Sequence, residues 1–404
     1  MIDNPALLPP GFQDILPEES TEERFILNAF SEIFSSFGYK YVKPPLMEYE
    51  HGFLDNAMGR KLGRKMFRLM DPVSKNMLGI RADITSQIVR IAMTRLVNMP
   101  RPLRIFYAAD SFNIESPEIK PQRQFTQVGC ELFGSADLNA DIEICTVAVL
   151  ALKKIGIEDV TIDFCFPSLL KNLLHRIEEK FAPKEYEVIR KCIDRRDKPG
   201  INQFKDADIE TLNDLIELSG PIENLENKNV TNLDEETKTR INTLRETAYK
   251  IKKEIAALGI SDVQLKVDLL EMKDFEYHSG IAFGFYTSRS GSILGRGGRY
   301  EGQFKDARTL EPIQENAVGF TFYTHALRDA VKEKDENKQI YVHYDTDWKT
   351  LQKLHNDGYK TIRALSDEDY NETNAALHGC EYMYMNKDVI KLDAKVTNRV
   401  NKHG

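Results

Sequence analysis

The arrangement of strand-like segments constrains the fold of this chain more than any other feature. Residues 106–134 read as two strands joined by a loop, and VQLKVDLL alternates apolar and polar side chains as a half-buried strand does. Three further strand-like segments follow at short, hairpin-like spacings: SGIAFGFYT, SILGRGGRYEGQF and AVGFTFY. Runs of strands broken by helices are typical of an antiparallel sheet, whereas a doubly wound fold alternates strand and helix. We therefore predict an α+β fold built on a mainly antiparallel sheet with flanking helices.

Changes in sequence character divide the chain into domains. Residues 1–330 contain the predicted sheet, which is interrupted from about residue 171 to 258 by charged helical sequence. We interpret this segment as an inserted helical subdomain with a solvated face rather than an RNA surface, because both signs of charge are interspersed. Residues 331–339 are predicted to be a linker. Residues 340–404 alternate strand and helix, which predicts a small α/β domain. This domain has nine Lys and Arg against ten Asp and Glu, so it is not a basic domain.

Two helices are marked at both ends in the sequence. Ser20 followed by Glu23 matches a capping box, and apolar residues spaced by three and four lead from there to Gly38. A second helical segment runs from about residue 138 to 155 and is closed by Gly156. We predict an amphipathic helix over each segment, the first one beginning at Ser20.

Composition, charge and cysteine content argue against several classes of protein. The 404 residues are 41% hydrophobic, enough for a sizeable core, but no run approaches 18 apolar residues and the N-terminal sequence has no secretion signal. We expect a cytoplasmic protein. A net charge of −8 gives no support for nucleic-acid binding. The five cysteines are an odd, widely spaced set without a CxxC pair, which favours small buried side chains over disulfides or a zinc site.

The second strand of the first pair places two polar side chains on one face. Because side chains alternate along a strand, Gln127, Gly129 and Glu131 share a face, while the opposite face is mostly apolar. A carboxamide and a carboxylate beside a glycine suit a ligand that approaches the backbone closely. The alternative is a solvent-facing strand whose polar residues only contact water, and the pattern alone leaves both interpretations open.

Other candidate residues have structural interpretations as well as functional ones. Asp83 and Thr85 stand where a helix begins, a position at which these residue types are common N-caps. His278 has no evident acid or nucleophile partner, so a pocket or core histidine is favoured over a general base. The glycines of residues 295–303 lack the helix that should follow a phosphate loop, and we interpret them as allowing close approach of a ligand or a strand. No metal-ligand or nucleophile arrangement rises above chance, and we expect no cofactor.

Several segments, taken in order, resemble a known family. GYKYVKPPLMEYE resembles the dimer-interface motif 1 of class II aminoacyl-tRNA synthetases. GIRADIT, RQFTQVGCELFG, EYHSGIAF and GRGGRY resemble histidyl-tRNA synthetases, and the resemblance extends from about residue 8 to 327. Within that superfamily, LLPPGFQDILPEE and LGIRADITSQIVRIA are more similar to the regulatory subunits of ATP phosphoribosyltransferase, which are synthetase paralogues of histidine biosynthesis. The resemblance implies a class II synthetase-like fold.

The resemblance also implies a histidine-binding pocket. Its positions are Asp83, Thr85, Gln127, Glu131, Lys273, Tyr277, His278 and Tyr300. The first three match positions that hold the α-amino group of histidine, and Glu131 matches the contact with its imidazole. Lys273 aligns near a histidine-contacting arginine. Two departures from the synthetases stand out: Asp83 is one methylene shorter than their glutamate, and His278 replaces a tyrosine.

Synthetase residues that act on ATP are missing at the matching positions. Synthetases stabilise charge on the ATP phosphates with one arginine in motif 2 and another in motif 3. Matching SFNIE to motif 2 places Asn113 at the first arginine, and matching VGFTFYTHAL to motif 3 places Ala326 at the second. Pro121 replaces another arginine of the motif 2 loop, where Arg123 is retained. Losing one preorganised donor typically costs about 10²- to 10³-fold in rate, so we expect negligible aminoacylation.

The resemblance therefore implies a non-catalytic regulatory subunit. We expect a homodimer formed through motif 1, assembled into a hetero-oligomer with a short-form ATP phosphoribosyltransferase catalytic subunit. It would activate this partner and convey feedback by histidine, and we expect no nucleic acid or membrane as a partner. Two alternatives stay open: a divergent histidyl-tRNA synthetase and a free-standing amino-acid sensor.

Overall fold

The structure, a computed structural model of the chain, forms two compact units, Met1–Lys332 and Glu333–Gly404. It describes residues 7–54, 63–114, 122–228, 230–272, 275, 277–305, 309, 311–331 and 338–392. Most of the predicted linker lies outside the described residues. In the part of the chain that is described, no helix is both long enough and apolar enough to cross a membrane.

A nine-stranded sheet forms the centre of the larger unit in its described part. Its strands are β1 (Lys40–Tyr41), β5 (Leu103–Phe112), β6 (Gln124–Phe133), β7 (Val160–Cys165), β8 (Gly220–Pro221), β9 (Val263–Val267), β10 (His278–Thr287), β11 (Gly295–Lys305) and β12 (Pro312–Tyr323). They lie in the order β1-β5-β6-β12-β11-β10-β7-β9-β8. Only the β1–β5 and β7–β9 pairs are parallel within this described sheet. The predicted α+β fold with a mainly antiparallel sheet is confirmed.

Both faces of β6 are covered by other elements. Its even-numbered side chains, such as Val128 and Leu132, pack into the main core with α1 (Pro17–Ser36) and α4 (Leu138–Lys154). The odd-numbered side chains face a second apolar cluster, to which α3 (Thr85–Thr94) contributes. Gln127 and Glu131 are 1% and 2% exposed. The interpretation of their face as a solvent-facing one is therefore wrong.

The first helix begins three residues earlier than predicted. Pro17 occupies its first turn, where a missing backbone N–H leaves no bond unmade and the fixed φ suits a helix. The N-cap is Leu16, whose side chain makes no capping hydrogen bond, so the predicted capping box is wrong. Glu23 instead accepts a hydrogen bond from Thr324 Oγ1 at 2.6 Å. The predicted end is confirmed: the helix stops just before Gly38, which has a φ of +79°.

The charged segment after β7 is helical, as its periodicity predicts. It contains α5 (Pro167–Lys180), α6 (Pro183–Asp194), α7 (Lys198–Ile201), α8 (Ala207–Leu218), α9 (Asn224–Asn227) and α10 (Glu235–Ala257). The apolar faces of these helices share the main core with the sheet. On their outer surface opposite charges pair with each other, as in the contact between Lys191 and Glu187 at 2.7 Å.

A separate small sheet begins within the segment GYKYVKPPLMEYE and continues after it. It consists of β2 (Met47–Tyr49), β3 (Phe67–Met70) and β4 (Met77–Ile80), all antiparallel, in the order β2-β4-β3. β3 and β4 form a hairpin whose antiparallel pairing runs from Phe67 opposite Ile80 to Met70 opposite Met77. Two short helices complete the larger unit, α2 (Glu50–Leu54) and α11 (Thr324–Ala330). All five cysteines of the chain are free and buried, as predicted.

The smaller unit is an α/β domain. Its sheet has the order β14-β13-β15-β16, with the first three strands parallel and the last one antiparallel. The elements are β13 (Gln339–Val342), α12 (Trp348–Asn356), β14 (Lys360–Arg363), α13 (Glu372–Leu377), β15 (Tyr382–Met385) and β16 (Asp388–Lys391). The sequence does not predict β16, because all four of its residues are exposed and show no alternation of burial.

Candidate functional site

Two glycines make room for side chains on the site face, the face of the large sheet that carries Gln127 and Glu131. An ideal Cβ at Gly129 would lie 2.8 Å from the hydroxyl of Tyr107. At Gly319, which pairs with Glu131 across the β6–β12 ladder, a Cβ would overlap the Glu131 carboxylate. The space beside Gly129 is thus filled by a tyrosine of the protein itself rather than left open for a ligand.

A hydrogen-bonded group that we call the Asp83 network fixes one end of the site. Asp83 Oδ2 accepts a hydrogen bond from Gln127 Nε2 at 2.8 Å, and Asp83 Oδ1 accepts one from the backbone N–H of Thr85 at 2.8 Å. Gln127 Oε1 accepts from Ser111 Oγ at 2.6 Å and from the backbone N–H of Ile84 at 3.2 Å. The Asp83 carboxylate therefore links two elements: one oxygen accepts a hydrogen bond from the start of α3, and the other accepts one from Gln127 of β6.

Glu131 lies at the other end of the site, in apolar surroundings. Its Oε2 accepts a hydrogen bond from the Tyr300 hydroxyl at 2.8 Å. Burial raises the pKa of Glu131 from 4.5 to about 8; the hydrogen bonds from Tyr300 and Tyr107 lower this pKa, and nearby Asp83 raises it. At pH 7 the carboxyl group therefore keeps its proton most of the time. A cation placed beside it would favour the ionised form.

Aromatic side chains complete the second group, the Glu131 cluster, which consists of Glu131, Tyr107, Tyr277, His278 and Tyr300. The ring of Tyr277 stacks on His278 with centroids 4.0 Å apart and meets Tyr300 edge-on at 6.0 Å. Nδ1 of buried His278 lies 3.1 Å from the carbonyl oxygen of Phe275. Burial lowers the pKa of His278 to about 3, so its ring is neutral at pH 7. His278 is therefore a neutral, hydrogen-bonded and buried member of this cluster.

The two groups occupy one continuous strip of the site face. Gln127 and Glu131 are four residues apart on β6, which corresponds to roughly 13 Å along a strand. Asp83 lies close enough to Glu131 to raise its pKa, so the two carboxyl groups act on the same space. Of the eight positions predicted for the pocket, Lys273 lies outside the described residues. The other seven belong to the Asp83 network or the Glu131 cluster.

The positions that match the two synthetase arginines are used for packing and backbone pairing. The backbone N–H of Asn113 donates to the carbonyl oxygen of Arg123 at 2.8 Å. Ala326 lies on α11, is 1% exposed and packs into the main core. Pro121 lies outside the described residues.

Three arginines near the sheet differ in what they contact. Arg123, the arginine retained from motif 2, lies over the rings of Phe12 and Phe67 at 5.3 Å and 4.6 Å. Arg299 points to the main-core side of β11, where it forms a buried ion pair with Asp141. By the alternation of β11, Arg296 shares the site face with Tyr300.

Sequence reasoning missed three buried side chains of the site: Ser111, Tyr107 and Thr321. The Tyr107 hydroxyl reaches across Gly129 and hydrogen-bonds to Thr321 Oγ1. Tyr107 and Thr321 both pair with Gly129 in the strand register, on β5 and β12 respectively. Residues that pair with Gly129 point to the same face of the sheet as Gln127 and Glu131. Aligning the predicted strands with β6 in this register is therefore the sequence signal that could have found Tyr107 and Thr321.

The strip combines two carboxyl groups with hydroxyl groups and an oriented amide. A carboxylate facing an ammonium group out of contact with water forms the strong, charge-assisted kind of hydrogen bond. This arrangement suits a small ligand that carries two basic groups. Among the described residues, no group of three or more His, Cys, Asp or Glu side chains is arranged to hold a metal ion.

Fold and site together define a protein of the class II aminoacyl-tRNA synthetase type. The histidyl-tRNA synthetase family matches residues 11–327. The crystal structure of an ATP phosphoribosyltransferase regulatory subunit/histidyl-tRNA synthetase from Bacillus halodurans has a TM-score of 0.72 with this chain. The match covers 92% of this chain and 96% of the other at 22% identity, a likeness of fold.

Two curated relatives narrow the assignment. The ATP phosphoribosyltransferase regulatory subunit of Rhodospirillum centenum is 31% identical over 94% of this chain and 94% of its own length. That of Paramagnetospirillum magneticum is 32% identical over 94% of this chain and 96% of its own length. The chain belongs to the family of ATP phosphoribosyltransferase regulatory subunits, a paralogous branch of the class II histidyl-tRNA synthetases.

Proposed function

We propose that this protein is the non-catalytic regulatory subunit of a two-component ATP phosphoribosyltransferase in histidine biosynthesis. It activates a short-form catalytic subunit and makes the complex sensitive to feedback inhibition by histidine. The names of its relatives support the regulatory role, and the polar strip of the site face supports the identity of the effector.

The observation that carries the proposal is the buried polar strip between Asp83 and Glu131. Burying a carboxyl group disfavours its charged form, and burial raises the pKa of Glu131 to about 8. A ligand with two basic groups offsets this effect. In the proposed complex the α-ammonium group of histidine pairs with Asp83, which Gln127 and Thr85 hold in place, and the imidazole contacts Glu131.

The pKa of Glu131 suits an imidazole in particular. The free imidazole group has a pKa of about 6.5 and is mostly neutral at pH 7. Glu131, with a pKa of about 8, still holds a proton at that pH. The proton can bridge the two groups or move to the imidazole, so binding at pH 7 needs no proton from the solvent. A lysine or arginine ligand would instead bring, besides its α-ammonium group, a side chain that is already positively charged at pH 7.

Two features support binding without adenylate formation. Asn113 and Ala326 stand where the synthetases place arginines against the ATP phosphates. Ala326 is buried in the main core, so its position contributes packing instead of charge. If the two losses act independently, they raise the barrier for activation of histidine by on the order of 5 kcal/mol or more.

We assign the contact between two copies of the chain to the motif 1 region. One face of the three-stranded sheet there exposes large apolar side chains: Met47 is 41% exposed, Tyr49 44% and Leu69 37%, and Tyr49 and Leu69 both pair with Leu78. Contiguous exposed apolar surface of this kind marks association sites on soluble proteins. Feedback then requires that histidine bind one state of the assembled complex more tightly than another, because equal affinity shifts no equilibrium.

Reconstitution with the catalytic subunit tests the proposal. We expect transferase activity only in the mixture, inhibition by histidine, and a calorimetric signal when histidine is titrated into the complex. Glu131→Ala should shift the inhibition curve to higher histidine concentration, whereas Glu301→Ala, an exposed glutamate on the strand of Tyr300, should leave it unchanged. If both variants keep the wild-type curve, histidine binds elsewhere.

A second assay separates the proposal from the alternatives. ATP–pyrophosphate exchange with histidine should be undetectable, and measurable exchange would identify a divergent synthetase instead. Isolation of the chain from native extract should recover the catalytic subunit with it. Recovery of the chain alone would favour a free-standing amino-acid sensor.

A further inference from the structure

Three large apolar side chains are exposed at one edge of the smaller unit. Trp348 is 76% exposed, Leu365 85% and Tyr344 41%. They follow β13 and β14, which are neighbouring parallel strands, so they stand at the carboxyl edge of that sheet. In open α/β sheets this edge is the usual place for ligands. A single exposed leucine needs no explanation, but a grouped tryptophan, tyrosine and leucine indicate an interaction surface, which we call the Trp348 surface.

The loops that carry these side chains are tied to each other. In the loop after β13, His343 hydrogen-bonds to Asp345, and its Nε2 bonds to Asp367 of the loop after β14 at 2.7 Å. Arg363, at the end of β14, donates to the carbonyl oxygen of Thr346 at 2.9 Å. These contacts join the two loops to each other without any partner. A preorganised surface loses less conformational entropy on binding.

Arg363 also packs against the tryptophan. Its guanidinium carbon lies 5.0 Å from the centre of the Trp348 ring, a cation–π contact that orients the indole while most of it stays in solvent. Tryptophan, tyrosine and arginine are the residue types that contribute most to binding energy at protein interfaces. The surface therefore has the composition of an interface centre.

The surroundings of the Trp348 surface are acidic. Residues 343–349 and 363–369 contain five acidic residues, Asp345, Asp347, Asp367, Glu368 and Asp369, against two basic ones, Lys349 and the Arg363 that packs on Trp348. Such a rim attracts Lys and Arg and repels acidic surfaces and nucleic acid. We propose that the Trp348 surface docks a segment of the catalytic subunit in which an apolar side chain is flanked by Lys or Arg. This inference rests on the function proposed above.

Fluorine NMR of the full-length chain tests the contact. Trp348 is the only tryptophan of the sequence, so incorporation of 5-fluorotryptophan gives a single signal. Addition of unlabelled catalytic subunit should shift this signal and abolish its response to replacing H₂O with D₂O. Light scattering of the same sample reports whether the complex has formed.

The outcomes separate this inference from the proposed function. A complex of the expected mass with an unchanged, solvent-sensitive signal would refute docking at Trp348 and leave the regulatory function intact. Failure to form any complex would refute both. A shift that appears when the chain alone is concentrated would show that a second copy occupies the surface, which also contradicts the proposal.

Matched substitutions give an independent measurement. Leu365→Ser and Glu368→Lys change exposed side chains of the surface and should each raise the Kd of the complex roughly tenfold. Leu377→Ser and Glu381→Lys change exposed residues of the same types elsewhere in the unit and should leave the Kd within about twofold. The effect of Glu368→Lys should weaken at high salt. Equal Kd values for test and control variants would overturn the assignment, provided thermal melting shows all four to be folded.

Discussion

The two faces of β6 are buried to the same degree but differ in what they contribute. On the main-core face Val128, Cys130 and Leu132 are at most 1% exposed, and burial of such side chains stabilises the fold. On the site face Gln127 and Glu131 are equally buried, yet the pKa of Glu131 shows that this environment disfavours its charged form. One strand therefore supports the fold with one face and, at an energetic cost, buries a carboxyl group and an amide with the other.

The largest effect on stability is expected on the main-core face. Leu132→Ala should lower the free energy of unfolding by about 2–5 kcal/mol, because it leaves a cavity among buried apolar side chains. Urea unfolding measures this change. The folded fraction should keep the wild-type affinity for histidine in calorimetry, and a large loss of affinity would show that the two faces are not independent.

A pH-dependent effect is expected on the site face. Glu131 has a pKa of about 8 in the folded chain and about 4.5 when unperturbed, so the unfolded chain loses the proton first. The contribution of Glu131 to stability should therefore fall as the pH rises from about 4.5 to 8 and level off above that. The slope is on the order of 1 kcal/mol per pH unit.

Glu131→Gln isolates this contribution, because the amide has nearly the same shape and does not titrate. Urea unfolding at several pH values should show the variant gaining stability relative to the wild type between pH 5 and 8. A constant difference across this range would mean that Glu131 ionises normally in the folded protein.

The smallest of the three effects is expected for Tyr300→Phe. The substitution removes one hydrogen bond to Glu131 and should cost about 1 kcal/mol of stability. The same hydrogen bond lowers the pKa of Glu131, so this pKa should rise further in the variant, and histidine should bind more weakly. Calorimetric titration and the pH series would show both changes, whereas unchanged values would place the Tyr300 hydroxyl outside the energetics of the site.

The comparison of the two faces also shows what the sequence could predict. Alternation along β6 and the spacing of its neighbours were sufficient to predict the antiparallel sheet, because strand periodicity is local information. The same alternation made Gln127 and Glu131 resemble solvent-exposed residues. Their burial depends on α3 and on Tyr300 of β11, which are distant in sequence.

Local competition between signals explains other differences. Ser20 and Glu23 match the pattern of a helix start, but a proline such as Pro17 is also typical of a first helical turn. In the structure the helix begins at Pro17. Ser111 belongs to no recognisable motif. It is part of the site because its hydroxyl donates a hydrogen bond to Gln127 on the neighbouring strand. The resemblance to the synthetases supplied the remaining positions.

The location of the single tryptophan has a practical consequence for spectroscopy. Trp348 lies on the smaller unit and is mostly exposed, whereas the chromophores around Glu131 are tyrosines. Emission excited selectively in the indole band therefore reports on the surroundings of one loop of the smaller unit. Tyrosine bands in near-ultraviolet circular dichroism are the optical signal that senses the Glu131 cluster.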